Sequence, residues 1–168
     1  RKIEAGQEDR IRPCVGATYC LDEIYQNRDA KCVHNPSTGR EDRLPHRVDK
    51  ATGPARTAVV IGAGPAGLEA ARVLGERGHR VVVFEAADVA GGQVRIAASS
   101  PRRRDLISII EWRLDECKLL DVDIRTNRYV DVDEVLAENP DIVVVATGGV
   151  PNTEFLTEGA HLVTDGWD

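Results

Sequence analysis

The stretch that most narrows what this 168-residue chain can fold into is an apolar run, Thr57 to Ile61, leading directly into Gly62-Ala63-Gly64-Pro65-Ala66-Gly67. The run suits a buried strand. The residues from Pro65 to Arg77, with Leu68, Ala70, Ala71 and Leu74 on one face, suit a helix. Each glycine then has a job: Gly62 permits the tight turn, Gly64 lets the backbone approach a pyrophosphate, and Gly67 lets helix and strand pack closely. Pro65 and Ala66 lie in the turn where a helix N-terminus attracts phosphate charge. Gly78 closes the helix, and a second strand, Arg80 to Phe84, ends at Glu85 with Ala86 beside it, 18 residues beyond Gly67. A carboxylate there accepts hydrogen bonds from ribose hydroxyls and repels a 2'-phosphate. The expected ligand is an adenosine diphosphate moiety.

A loop with Gly91 and Gly92 follows, then an amphipathic pattern from about Arg103 to Leu120 with Leu106, Ile109, Ile110, Leu114 and Cys117 at helical spacing. Trp112 falls outside that stripe. Arg113 falls inside it and is expected to lay its stem along the apolar face with its head in water. Cys117 reads as core. A strand over Val122 to Thr126, a short helix over Val132 to Glu138 and a buried strand over Asp141 to Ala146 complete a β-α-β-α-β-α-β order. That order predicts an α/β fold with a parallel sheet covered on both faces. Thr147, Gly148 and Gly149 follow the last strand, at the carboxyl end of the sheet where ligands of this fold bind.

Charge excludes one class of partner. Residues 1–120 are slightly basic, whereas residues 121–168 carry two basic against eleven acidic residues. No basic face for nucleic acid is evident, and Arg102 to Arg104 read as a solvated helix start. The apolar runs are far shorter than the ~20 residues of a membrane-spanning helix. With no Met in the chain and a beginning at Arg1, the sequence is expected to be a piece of a longer protein.

From Arg1 to about Arg56 the texture differs: Pro13, Pro36, Pro45 and Pro54 punctuate a segment with little periodicity, apart from a short helix expected at Leu21 to Asn27. Such a segment needs something besides packing to order it, and Cys14, Cys20 and Cys32 are the candidates. No Cys-x-x-Cys pair is present, and His34 and His46 are poorly placed to complete a zinc site. The residues alone leave open an iron-sulfur site or three unrelated thiols. A disulfide would leave one of the three unpaired, which favours a reducing compartment such as the cytoplasm.

The run from Gly62 to Gln93, GAGPAGLEAARVLGERGHRVVVFEAADVAGGQ, resembles the FAD-binding half of the two-dinucleotide flavoproteins, and ATGG at 146–149 looks like their second motif. The resemblance implies that Gly92 and Gln93 follow the pyrophosphate loop and that a residue near Tyr129 or Val130 lies against the adenine. No second glycine fingerprint for a nicotinamide nucleotide is present. The stretch IRPCVGATYCLDEIYQNRDAKCVHNPSTGRE is similar to the linker of the iron-sulfur, old-yellow-enzyme-like flavoproteins of the trimethylamine dehydrogenase, histamine dehydrogenase and 2,4-dienoyl-CoA reductase type. Its VGATYC variant looks like their N-methylproline or dimethylglycine demethylase branch. In that family four Cys surround a [4Fe-4S] cluster. Cys14, Cys20 and Cys32 fall on the first, third and fourth positions, and Ala17 on the second. One iron would then need water, hydroxide or another side chain such as His34, or a [3Fe-4S] form would result.

The resemblance therefore implies a Rossmann-like FAD/NAD(P)-binding sheet over 56–150, a cysteine-bearing iron-sulfur linker over 1–55, and the start of a further segment over 151–168. It implies a role in a flavin-dependent oxidoreductase, with N-methyl amine oxidation as the activity. FAD or ADP would sit on this chain and FMN in a barrel outside it. An amine substrate, an electron-transfer partner protein and a homo-oligomer belong to the same expectation. The alternatives are a structural ADP-binding module and an enoyl reductase segment. No catalytic acid or base can be named.

Overall fold

The computed structural model describes residues 2–150, 152 and 157–164. Four strands, β1 (Thr57–Ile61), β2 (Arg80–Phe84), β3 (Asp123–Arg125) and β4 (Ile142–Val145), form one parallel sheet in the order β3-β2-β1-β4. The α/β fold is as the alternation of elements implies. Consecutive parallel strands need crossovers, and helix α2 (Pro65–Glu76) supplies the one from β1 to β2. Val59 stands opposite Val82 on one side and Val143 on the other, so the register aligns the carboxyl ends of all three strands.

Because side chains alternate across a strand, the two faces have separate cores. Ala58, Val60, Val81 and Val83 pack against Leu68 and Ala71 of α2 and against Ile109, Ile110 and Cys117 of α4 (Ser108–Leu119). On the other face Val59, Val82 and Phe84 meet Val135 of α5 (Val132–Ala137). That second face is covered only in part by the described residues: Val143 and Val145 of the edge strand β4 are exposed. The expectation of two covered faces therefore holds at β1 and β2 and not at β4, because α5 lies over the β2 side.

The expected long helix from Arg103 divides into a 3-10 turn over Arg104–Ile107 and the α-helix over Ser108–Leu119. A further short helix, α3 (Gln93–Ala98), occupies what reads as loop. Pro101 separates the two, since a proline restricts the residue before it and supplies no N–H. Arg102 to Arg104 are exposed, as a solvated start requires. Helix α1 (Tyr19–Tyr25) begins two residues earlier than expected and stops before Asn27, which takes a left-handed conformation. Among the described residues no helix is long and apolar enough to cross a membrane.

Candidate nucleotide site and cysteine loop

The nucleotide site is assembled where β1 and β4 end. Gly62 has φ +100°, and a Cβ there would lie 2.5 Å from the carbonyl oxygen of Ala146, so the turn out of β1 tolerates no side chain against the end of β4. A Cβ at Gly67 would lie 1.9 Å from the Gly62 carbonyl oxygen. That contact is the close helix-to-strand packing expected of the third glycine. Gly64 is different, because a Cβ there meets nothing within 4 Å. It caps α2, and no side chain satisfies the N–H groups of the first turn, which lack partners within the helix. Open space beside unsatisfied donors and a positive helix end suits a pyrophosphate.

The Glu85 carboxylate is held at the rim. One oxygen accepts the Ala63 N–H at 2.7 Å and the other the Ala87 N–H at 2.9 Å. The Glu85 N–H donates to the Arg125 carbonyl, and the Arg128 N–H donates to the Glu85 carbonyl, so β3 and the turn after it fix the residue from the far side. The Gly91 N–H donates to Ala63, and a Cβ on Gly92 would lie 3.4 Å from the Gly64 Cα. The two glycine turns therefore touch. Gln93 Nε2 donates to the Gly149 carbonyl at 3.3 Å, tying the start of α3 to the ATGG turn.

Of the residues expected in this site, Gly62, Gly64, Glu85, Gly92, Thr147 and Gly148 lie on loops at the carboxyl end of the sheet, and Pro65, Ala66 and Gly67 open α2 there and Gln93 opens α3. Ala86 is exposed beside Glu85. Val130 is half-buried against the core that holds Phe84, while Tyr129 is 92% exposed. These residues fit the adenosine diphosphate part of a dinucleotide.

The residues that flank the cysteines, Arg10, Arg12 and His34, lie against α2 and α4 through Glu69, Trp112, Arg113 and Glu116. Cys14 is exposed, Cys20 and Cys32 are half-buried, and all three are free thiols. Among the described residues no three His, Cys, Asp or Glu side chains converge on one point that could hold a metal ion. Three thiols are a soft donor set of the kind an iron-sulfur cluster takes, each thiolate binding its own iron. His34 is 1% exposed, with Nδ1 2.9 Å from the Pro13 carbonyl oxygen and the ring edge-on to Trp112. A carbonyl only accepts, so Nδ1 carries the proton. Burial pushes the His34 pKa down to about 4, against the pull of the Pro13 hydrogen bond.

Two expectations for α4 are corrected here. Trp112 is buried, donating its indole N–H to the Arg10 carbonyl at 2.9 Å, with the Arg12 guanidinium 3.9 Å over its ring. Arg113 does not reach water: it is 4% exposed, and its Nε stands 2.8 Å from Glu69 Oε2 as an ion pair off the hydrogen-bonding axis. Burial raises the Glu69 pKa, but the hydrogen bond from Arg72 and the charges of Arg72, Arg113 and Arg12 outweigh it, and the carboxyl titrates below its ordinary range. Burial lowers the pKa of Arg113 and Arg12. Arg113 in an apolar stripe was the visible signal for this network. Its partner lies 44 positions earlier, beyond the reach of helical periodicity. Cys117 is fully buried, as its place in the stripe implies.

Residues 60–108 match the family described as NAD(P)-binding Rossmann-like domain. A probable N-methylproline demethylase of Rhizobium meliloti is 56% identical over 168 residues, covering 100% of this chain and 25% of that protein. An N,N-dimethylglycine/sarcosine dehydrogenase of Chromohalobacter salexigens is 45% identical, covering 99% of this chain and 25% of that protein. The structure of histamine dehydrogenase from Rhizobium sp. 4-9 superposes with TM-score 0.84 at 28% identity, over 94% of this chain and 23% of that one. The chain spans about a quarter of the length of the curated relatives it matches.

Proposed function

The chain belongs to the trimethylamine dehydrogenase-like flavoproteins, and from that premise we propose that it is the nucleotide-binding and cysteine-bearing part of a flavin-dependent oxidoreductase acting on N-methyl amines. The observation that carries the nucleotide reading is the meeting of Gly64 and Gly92, with Glu85 bound to Ala63 at their edge. In this reading Gly62, Gly64 and Gly67 shape the pyrophosphate turn, and Pro65 and Ala66 open the helix whose dipole faces the phosphates. Glu85 takes the ribose hydroxyls, and Gly92, Gln93, Thr147 and Gly148 close the other side. Ala86 and Val130 border the adenosine. All of these residues address the adenosine diphosphate half, so FAD and ADP would use one site.

In the same proposal Cys14, Cys20 and Cys32 hold an iron-sulfur cluster, and FMN occupies a barrel supplied by the longer protein. A cluster or flavin supplies one-electron exchange when bound; the chain's part is to hold and orient it. The support is the thiolate donor set and the amine-oxidising relatives. The amine substrate reaches the barrel, electrons leave to a partner protein, and the full-length protein is a cytoplasmic homo-oligomer.

The test is an anaerobic absorbance spectrum of the full-length protein, with iron, sulfide and nucleotides assayed after acid release. Iron and sulfide together with FMN and FAD are the expected result. FMN with ADP and no second flavin would make the sheet a structural ADP binder. Absence of iron would overturn the cluster and mark Ala17 as the site of its loss.

A further inference from the structure

We propose that Arg113 is a positioning residue for the cysteine loop, gripping it through the backbone carbonyl of His34 and anchoring it through Glu69 to the helix that opens on the nucleotide. The inference rests on the proposed role of Cys14, Cys20 and Cys32 as iron ligands.

The loop is closed at its base by the hydrogen bond between Pro13 and His34, and the residues between them include all three cysteines. Within 14–33 only Val15 and Glu23 are buried. Val15 packs into the core shared by the sheet, α2 and α4, Glu23 pairs with Lys31 and Arg28 inside the loop, and the base supplies the remaining fastening. Arg113 spreads its fork in three directions there. Nη1 donates to the Ile109 carbonyl of its own helix at 2.7 Å, Nη2 donates to the His34 carbonyl at 3.0 Å, and Nε faces Glu69.

Arg12, the residue before Pro13, donates to the same His34 carbonyl at 2.5 Å and also reaches Glu69 at 3.4 Å. One carbonyl thus takes a guanidinium from each side, and one carboxylate on α2, which also pairs with Arg72, is shared by both. A carbonyl with two charge-assisted donors has both lone pairs occupied and little freedom to swing. The residue two positions after Cys32 and the residue before Cys14 are therefore held by one ion cluster. A lysine at 113 would keep the charge, but its compact ammonium cannot span the separated positions that the planar fork reaches. Groups that orient ligands from behind typically change metal affinity by about 10–100-fold when removed.

The experiment uses the full-length protein and compares wild type with Arg113→Lys and Cys117→Ala. Cys117 is buried on the same helix and its thiol reaches the Leu68 carbonyl at 3.7 Å, so its truncation perturbs the same packing without removing a hydrogen bond or ion pair to the base of the loop. The readouts are iron retained against a chelator, the electron paramagnetic resonance signal of the dithionite-reduced protein, its midpoint potential, and nucleotide content. Arg113→Lys should retain iron about ten-fold less well, or shift the signal and the potential, with nucleotide content unchanged. Cys117→Ala should leave the iron readouts at wild-type values.

Equal effects of the two variants, or no effect of Arg113→Lys in iron-loaded protein, would overturn the positioning role while leaving the cluster intact. Wild-type protein without iron would overturn the cluster itself, and the inference with it. If Arg113→Lys does not fold, Arg12→Lys removes the second grip on the same carbonyl and is held to the same outcomes.

Discussion

The carboxylate of Glu85 accepts the backbone N–H of Ala63 at 2.7 Å across 22 positions of sequence. The acidic end of β2 and the glycine turn after β1 are thereby one unit, and in the proposed site Glu85 would take a ribose hydroxyl while Gly64 faces a phosphate. Replacing Glu85 with Ala removes the ribose acceptor and leaves the Ala63 N–H without its partner. Nucleotide affinity should fall by about 1–3 kcal/mol. Calorimetric titration of ADP into nucleotide-stripped full-length protein measures it, and an unchanged affinity would remove Glu85 from the site.

Two glycines three residues apart should respond in different ways. Gly67→Ala drives a methyl group into the Gly62 carbonyl, with a Cβ to oxygen distance of 1.9 Å, and should destabilise the fold by about 1–3 kcal/mol. Gly64→Ala meets open space, so the melting temperature should hold while ADP binding weakens. Gly53→Ala, also in open space but away from the site, should change neither. Thermal melts with and without ADP separate the three. Equal ADP responses in the variants at 53 and 64 would count against the phosphate position.

Acid should unfasten the cysteine segment. Glu69 and Glu116 both titrate below their ordinary value of 4.5, because hydrogen bonds and charges from Arg72 and from Arg10 outweigh burial. Their folded form binds protons less readily than the unfolded chain. The stability they contribute is present above about pH 4.5 and is lost as pH falls through the lower folded values. Denaturant melts between pH 7 and pH 3 should show this loss. Glu69→Gln removes the carboxylate shared by Arg12, Arg72 and Arg113, should cost about 3–5 kcal/mol at pH 7, and should flatten the acid slope. A slope identical to wild type would mean that the ion cluster does not couple the segment to the sheet.

The four thiols should divide into two classes. Burial pushes the Cys117 thiol up to about 12 and removes it from solvent, whereas Cys14, Cys20 and Cys32 are exposed or half-buried. Only thiolate reacts, so in iron-free native protein three thiols should react quickly with a disulfide reagent and the fourth only on unfolding. Mass spectrometry of the labelled peptides identifies them. Rapid labelling of Cys117 would show that α2 and α4 separate readily.

The nucleotide half of the molecule was legible in the sequence because its determinants are local or regularly spaced. A strand feeding a glycine turn and a helix constrains itself within a few residues, and Glu85 follows at the distance one helix and one strand impose. The alternation of elements was enough for a parallel sheet, since parallel neighbours need crossovers. What the tertiary structure decided is contact between parts distant in the chain. Trp112 and Arg113 looked misplaced on an amphipathic helix because periodicity describes one helix at a time. They are buried because the segment carrying Arg10, Arg12 and His34 lies over them. The partnership of Glu69 with both Arg12 and Arg113 has no sequence spacing to announce it: charge pairs form wherever folding brings them within a few ångströms, and only the packed chain fixes which ones do.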